Sequence, residues 1–421
     1  MDPKDIAPLS QEIVKEAELL EGLLFEDRKE DSPEALLWNH PPRGSDIERS
    51  QSKLLGLIQK LSRTLRGPQV FLHEFVASNW DKGALCCLLE CRVLDEIPLD
   101  GQATLAELSE KTGIPRDKLL PMLRLAACDQ ILLESSEQVF RHGVISRELV
   151  QDPGLKAFIG FQLFETRVAS THLANSLKKP NPTWTGHSAF KHAFGQSMYD
   201  WHSSHPENGA RFTAAMQSVA DFLDPGNQLL EAWFSENIEK ATCPRTVVDL
   251  VRKPETASRF LAEKFPTLEL EVQQLPKDVS QFALEDEPET PRVYLFKSIL
   301  WNLPDREVIC ILSNLLVATR RSKNSVILVN DLLSPPPGTF EPHVDKAYRR
   351  RDVTVMAMHN AKLRTKDEWD AVFRKCHPGI TDPRQSKYDT LRIGMTKGYT
   401  SHSCRAQWEF KLTGRLVPDG R

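Results

Sequence analysis

The sequence predicts an α/β protein in which a Rossmann-like, doubly wound and mainly parallel sheet follows an N-terminal all-α, winged-helix region. Three observations predict it. From Pro244 onward, apolar runs at Val247–Leu250, Val293–Phe296 and Val326–Val329 alternate with segments of helical period, the pattern of buried parallel strands joined by crossover helices. The stretch Val247–Pro276, VVDLVRKPETASRFLAEKFPTLELEVQQLP, itself reads as strand, turn, helix and second strand. Upstream, a helix after Thr104, a stop at Gly113, a new start near Pro115, a second helix at Leu119–Ala127 and a two-stranded wing at Ile131–Gly143 spell a winged helix.

The remaining elements follow in chain order. Residues 10–25, SQEIVKEAELLEGLLF, have helical periodicity, and Glu26–Ser45 is rich in charge and proline, so residues 1–45 are expected to form a helix and a flexible arm. Residues 46–150 hold the winged helix. Its second helix sets Leu119, Leu120, Met122, Leu123 and Leu125 beside Lys118 and Arg124, a composition that suits packing better than binding the phosphates of a duplex. Residues 151–235 read as a helical linker. Residues 236–421 carry the sheet, with a helix around Trp369–Phe373 and a closing strand at Ala406–Leu412.

At 421 residues the chain suffices for two domains and a buried core. Its 54 basic and 58 acidic residues leave a net charge of −4, which argues against nucleic acid or an anionic membrane as the main partner. No apolar run approaches the roughly 18–20 residues that span a bilayer, and Met1–Pro8 is charged rather than signal-like, so a cytoplasmic protein is expected. The eight cysteines lack CxxC spacing and are expected to be reduced, with no metal bound.

The Val247–Pro276 unit resembles the S-adenosylmethionine-dependent O-methyltransferases of the plant and fungal caffeic-acid type, whose pattern runs VVDVGGGxG, LAxxFPxL, DLP. Val247, Val248, Asp249, Leu261, Ala262, Phe265, Pro266, Leu268, Leu275 and Pro276 match it. The resemblance covers roughly residues 50–415 and implies the fold, an acceptor pocket and an intertwined homodimer. The turn departs from the pattern. Val251, Arg252, Lys253, Pro254 and Glu255 replace the glycines, Pro254 has no amide donor, and Gln274 replaces the acidic residue. These changes lead to the expectation that no cofactor, S-adenosylmethionine included, is bound.

The resemblance also implies a catalytic histidine within a motif close to LHDWPDEE. Here the segment reads Leu300, Trp301, Asn302, Leu303, Pro304, Asp305, Arg306, Glu307, so the base position is Trp301, whose indole has an N–H donor and no basic lone pair. Of the two acidic residues that would orient the histidine, Asp331 stands at the first position and Leu363 at the second.

Phe161, Phe164, Met216, Trp301, Met356, Met358 and His359 are the expected walls of a pocket for a hydrophobic small molecule, although the phenylalanines and methionines fit a plain core equally well. His172, Asn302 and Asp331 are the expected polar groups that act on the substrate. A scaffold kept while its transfer groups are lost is similar to the fungal O-methyltransferase-like pericyclases. That similarity implies dehydration, or an Alder-ene or hetero-Diels–Alder closure, of a polyketide or alkaloid intermediate. Two alternatives stand beside it: an O-methyltransferase with a divergent site, and a non-catalytic co-activator of a biosynthetic gene cluster.

Overall fold

The computed structural model describes residues 2–26, 45–178, 187–222, 227–240, 243–251, 257–276, 279–282, 290–319, 322, 324–376, 390–399 and 404–413. All of the expected arm except its two end residues lies outside them. The chain divides into two compact units, one drawn from Met1–Pro41, Asp46–Thr171 and Ala193–Phe222, the other from Pro42–Ser45, His172–His192 and Leu223–Arg421.

In the first unit α1 (Ile6–Glu26) packs on the long α2 (Asp46–Glu90) through Leu20 and Ile47. The buried Glu16 carboxylate fixes their register by accepting a 2.8 Å bond from Ser50 Oγ and pairing with Lys53. Helix α2 breaks once, at Gly67, where φ is 66°, immediately before Pro68, whose ring removes an amide donor and crowds the preceding turn.

The winged helix follows as read. Strand β1 (Ala103–Thr104) leads into α3 (Leu105–Thr112), where Thr104 Oγ1 accepts the Glu107 amide and Glu107 reaches back to the Thr104 amide, a reciprocal cap. Gly113 ends the helix in the left-handed region, φ 71°, where a side chain would be strained. Helix α4 (Arg116–Cys128) buries Leu119 and Leu123 against Leu105, Leu108, Leu132 and Phe140, so its apolar stripe is spent inside the module. Strands β2 (Leu132–Ser136) and β3 (Val139–His142) pair antiparallel as the expected wing, and β1 adds a third strand on β3.

Helices α5 (Val144–Gln151) and α6 (Pro153–Phe161) come next, and α6 runs through a π-helical turn at Gln162–Thr166 into α7 (Arg167–Thr171). Beyond α8 (Leu173–Leu177) and α9 (Ala189–Phe194), α10 (Met198–Ser204) and α11 (Pro206–Phe222) return to the first unit, where α11 packs along α6. The described residues of 151–235 thus form helices joined by short turns.

The second unit continues with α12 (Asn227–Asn237), β4 (Thr246–Val251), α13 (Ala257–Lys264), β5 (Glu269–Gln274) and β6 (Arg292–Lys297). It is completed by α14 (Asp305–Thr319), β7 (Val326–Leu332), α15 (Pro342–His359), α16 (Lys366–Cys376), β8 (Thr390–Tyr399) and β9 (Cys404–Thr413). The sheet order is β5-β4-β6-β7-β9-β8; the first four strands are parallel, and β9 runs antiparallel to both neighbours. Val248, Leu250, Tyr294, Phe296, Ile327 and Val329 belong to one core, while Val247, Val293, Leu295, Val326 and Leu328 belong to another. Alternate residues of one strand feed opposite faces, which is why these strands read as unbroken apolar runs. Among the described residues no helix is long and apolar enough to cross a membrane.

Candidate functional site

The β4–α13–β5 unit is built as a nucleotide-type frame. Asp249, buried within β4, accepts both the amide (3.1 Å) and the hydroxyl (2.8 Å) of Ser258 in the first turn of α13, latching strand to helix. Burial pushes its carboxyl pKa up, against the two Ser258 bonds. Val251 closes β4 beside Gln274 at the end of β5, and the Gln274 side chain is exposed. The substituted turn residues Arg252, Lys253, Pro254 and Glu255 lie outside the described residues.

The segment after β6 is held from three sides. Leu300–Asn302 forms one 3-10 turn, and the fully buried Asp331 carboxylate caps it, accepting the amides of Leu300 (2.8 Å) and Trp301 (3.1 Å) on Oδ2 and the Leu332 amide (2.8 Å) on Oδ1. Trp301 donates its indole N–H to the Ser298 carbonyl at 3.0 Å, so the residue at the base position is anchored through its only polar atom. Arg364, also fully buried, donates to Asp305 Oδ1 (2.7 Å) and to the carbonyls of Leu300 (3.1 Å) and Leu303 (2.6 Å), with its guanidinium 4.8 Å from the Trp369 ring centre. Asp331 therefore acts here as a backbone cap. Leu363, at the second acidic position, is buried and donates its amide to Asp352. The Asn302 side-chain amide makes no hydrogen bond among the described residues and is half-buried.

The other expected residues fall in three places. In the first unit Phe161 is buried against Phe212 (5.2 Å between ring centres), Phe164 meets Phe194 and the Arg211 guanidinium, and Met216 lies one turn beyond Phe212 on α11, partly buried. In the second unit His172 is half-buried at the N-cap of α8, its carbonyl accepting the Ser176 amide. Met356, Met358 and His359 close α15, with Met358 and His359 buried. Asp331 and Trp301 are joined by the amide bond above, and Asn302 follows Trp301 in the same 3-10 turn.

Four charged residues escaped the sequence reading: Arg364, Arg351, Glu165 and Arg211. Arg351, on the α15 face shared with Tyr348, Val355 and Met358, sits 5.8 Å from the Tyr348 ring centre, and burial pushes its pKa down. Among the described residues it has no carboxylate within ion-pair distance. A signal existed for Glu165: it falls one helical turn after Phe161 within an otherwise apolar face.

No family model matches the chain. It is 43% identical over 375 residues to O-methyltransferase phnC of Penicillium herquei, covering 82% of this chain and 87% of that protein. It is 26% identical to O-methyltransferase aurJ of Gibberella zeae, over 76% of this chain and 80% of that one. Among solved structures it matches OxaC in complex with sinefungin and meleagrin, with a TM-score of 0.68, 16% identity and coverage of 98% and 100% of the two chains. It also matches LepI in complex with SAM (TM-score 0.63, 16% identity, 96% and 100%) and a protein described as a pericyclic reaction enzyme (0.61, 16%, 95% and 100%).

These findings overturn the expectation that no cofactor is bound. The relatives are O-methyltransferases, and structures of the same fold were crystallised with S-adenosylhomocysteine, sinefungin or S-adenosylmethionine. The physical reason is that the expectation weighed single substitutions in the turn and at Gln274, whereas the strand end and the helix N-terminus on either side of the turn are retained and can themselves receive the ligand. The described flanks suit the cofactor: a strand end, the helix N-terminus after it, and on the next strand an exposed Gln274 whose amide oxygen can accept from ribose hydroxyls. With these matches of sequence and fold, the chain belongs to the fungal O-methyltransferase family.

Proposed function

We propose that the chain is an S-adenosylmethionine-binding enzyme of fungal secondary metabolism that dehydrates a hydroxyl-bearing polyketide or alkaloid intermediate, or guides its pericyclic closure. The observation that carries this reading is the 298–302 turn: the base position is an indole tied to the Ser298 carbonyl, and the acidic partner Asp331 is engaged by backbone amides. A reaction run there draws on shape and hydrogen-bond donors. A cavity that holds a flexible chain in its reactive conformer removes much of the entropic barrier, and a donor at the substrate carbonyl stabilises charge that moves in the transition state. The Asn302 amide is a donor of this kind.

The end of β4, the start of α13 and Gln274 would hold the cofactor. When bound, it supplies a sulfonium charge and a transferable methyl group. A second reading, methyl transfer to an acceptor that is already ionised, is favoured by Arg351, a half-buried cation on α15 of a kind that keeps a phenol or enol in its anionic form, and by the name of the 43% identical relative. The apolar side chains exposed on α2, among them Leu65, Leu72, Phe75, Val76 and Trp80, form a face suited to a second copy of the chain.

Calorimetric titration with S-adenosylmethionine is expected to give micromolar binding, and light scattering on the same sample to give twice the 47.8 kDa chain mass. Incubation with a polyketide alcohol should then change the product ratio from its buffer value, through products that have lost water or kept the substrate's mass. Products heavier by one methylene would move methyl transfer to first place. A folded protein that binds no cofactor and leaves the product ratio at its buffer value would sink both readings.

A further inference from the structure

The end of α2 carries three free cysteines, Cys86, Cys87 and Cys91. Residues four apart on a helix share a face, and Cys87 and Cys91 set their sulfurs 3.9 Å apart, in hydrogen-bond contact. Cys91 is exposed and Cys87 half-buried, so one member of the pair meets solvent and the other stands behind it. Burial first, and then the contact with Cys91, push the Cys87 thiol pKa up, which keeps that thiol protonated at neutral pH.

Glu90 lies between the two in the same turn. It pairs with Arg211 of α11, whose guanidinium also donates to the buried Glu165 at 3.0 Å and stands 5.6 Å from the Phe164 ring centre. That turn closes the helix: the Cys91 amide donates to the Cys87 carbonyl at 2.9 Å, and the Val93 amide donates to the Leu88 carbonyl at 2.9 Å. Arg92 then leaves the helix with φ 56°, a left-handed conformation in which a side chain is strained. The last turn is therefore the part of this helix end that gives way most readily.

We infer that Cys87 and Cys91 form a reversible, peroxide-sensitive dithiol whose closure to a disulfide opens the last turn of α2 and draws Glu90 away from Arg211. One hydrogen peroxide balances the chemistry. The Cys91 sulfur, as thiolate, attacks a peroxide oxygen; an S–O bond forms, the O–O bond breaks, and the released hydroxide takes up the thiol proton and leaves as water. The Cys87 sulfur then attacks the sulfenic sulfur; the S–S bond forms, the S–O bond breaks, and a second water carries away the Cys87 proton. The two thiols have lost two electrons and the peroxide has gained them. Helical geometry couples this bond to the backbone, because Cβ atoms four residues apart stand about 5–6 Å from each other and a disulfide needs about 3.8 Å. Closure on an intact turn is thereby ruled out. The inference goes beyond the proposed function, which needs neither thiol.

The test treats the full chain, first reduced, with a small excess of hydrogen peroxide, then alkylates it and digests it with trypsin. Cleavage after Lys82 and Arg92 delivers all three cysteines in the single peptide 83–92. Without peroxide this peptide should carry three alkyl groups. After peroxide it should carry one and have lost two hydrogens, and dithiothreitol should restore the first pattern. Cys87→Ser and Cys91→Ser should each abolish the oxidised product, whereas Cys86→Ser should keep it with no alkyl group left. Amide exchange in the last turn of α2 should quicken by about tenfold or more on oxidation. Three alkyl groups after peroxide, a sulfinic or sulfonic acid at Cys91 in place of the bond, a bond to Cys86, or a bond between two chains would each overturn the inference. A disulfide formed with unchanged exchange would overturn it as well, because the turn would not have opened.

Discussion

Replacing Arg364 with methionine should destabilise the second unit by about 3 kcal/mol. Methionine keeps the length and apolar stem of the side chain, so the loss isolates the donors. Three hydrogen bonds disappear; the Leu300 carbonyl keeps the Leu303 amide at 3.1 Å, whereas the Leu303 carbonyl, within a buried residue, keeps no other partner among the described residues. Breaking a buried ion pair costs about 3–5 kcal/mol when the remaining charge is stranded. The Asp305 side chain is 39% exposed and regains water, which places the estimate at the lower end. The stacking on Trp369 contributes in the same direction. Arg364→Lys should lie between wild type and methionine, because an ammonium retains the charge but lacks the planar fork that reaches three acceptors. Guanidinium-chloride unfolding followed by circular dichroism would measure both. A methionine variant within about 1 kcal/mol of wild type would show that water replaces the guanidinium and that Arg364 does not hold the turn.

How much of this arrangement could be read from the sequence depends on how local its physics is. Strands β4, β6 and β7 were legible because burial on both faces makes them continuous apolar runs, and α3 because Gly113 and Thr104 carry their own stop and start chemistry. Strand β1 was not, since two residues are too few for an alternating pattern. At the site, the change at Trp301 could be read directly, whereas the work of Arg364 could not. The resemblance directs attention to Leu363, and the neighbouring side chain reaches acceptors some sixty positions away across the fold. Glu165 and Arg211 are likewise 46 positions apart, and periodicity treats each as a blemish on an apolar face. The cofactor expectation failed for a different reason: it rested on single substitutions in the turn and at Gln274, while the strand end and helix N-terminus that flank the turn are retained.

Asp331→Asn should cost about 2–3 kcal/mol, and its effect should not add to that of Arg364→Met. The carboxylate serves three amides with two oxygens, and an asparagine can offer acceptor lone pairs on one side only. Its NH2 group must then face either the Leu300 and Trp301 amides or the Leu332 amide, donor against donor. Because Asp331 caps the start of the 300–305 segment while Arg364 ties down its carbonyls and Asp305, the two side chains hold one piece of backbone from opposite sides. Once either is lost, the segment can relax, and the second loss removes bonds already weakened. The double variant should therefore fall short of the sum of the single effects by about 0.5–1 kcal/mol, outside the few tenths expected of independent sites. Strict additivity would mean that the turn stays rigid on one anchor alone. A shortfall would mean that the position of Trp301 and Asn302, and with it the shape of this turn, is set jointly by two buried charges.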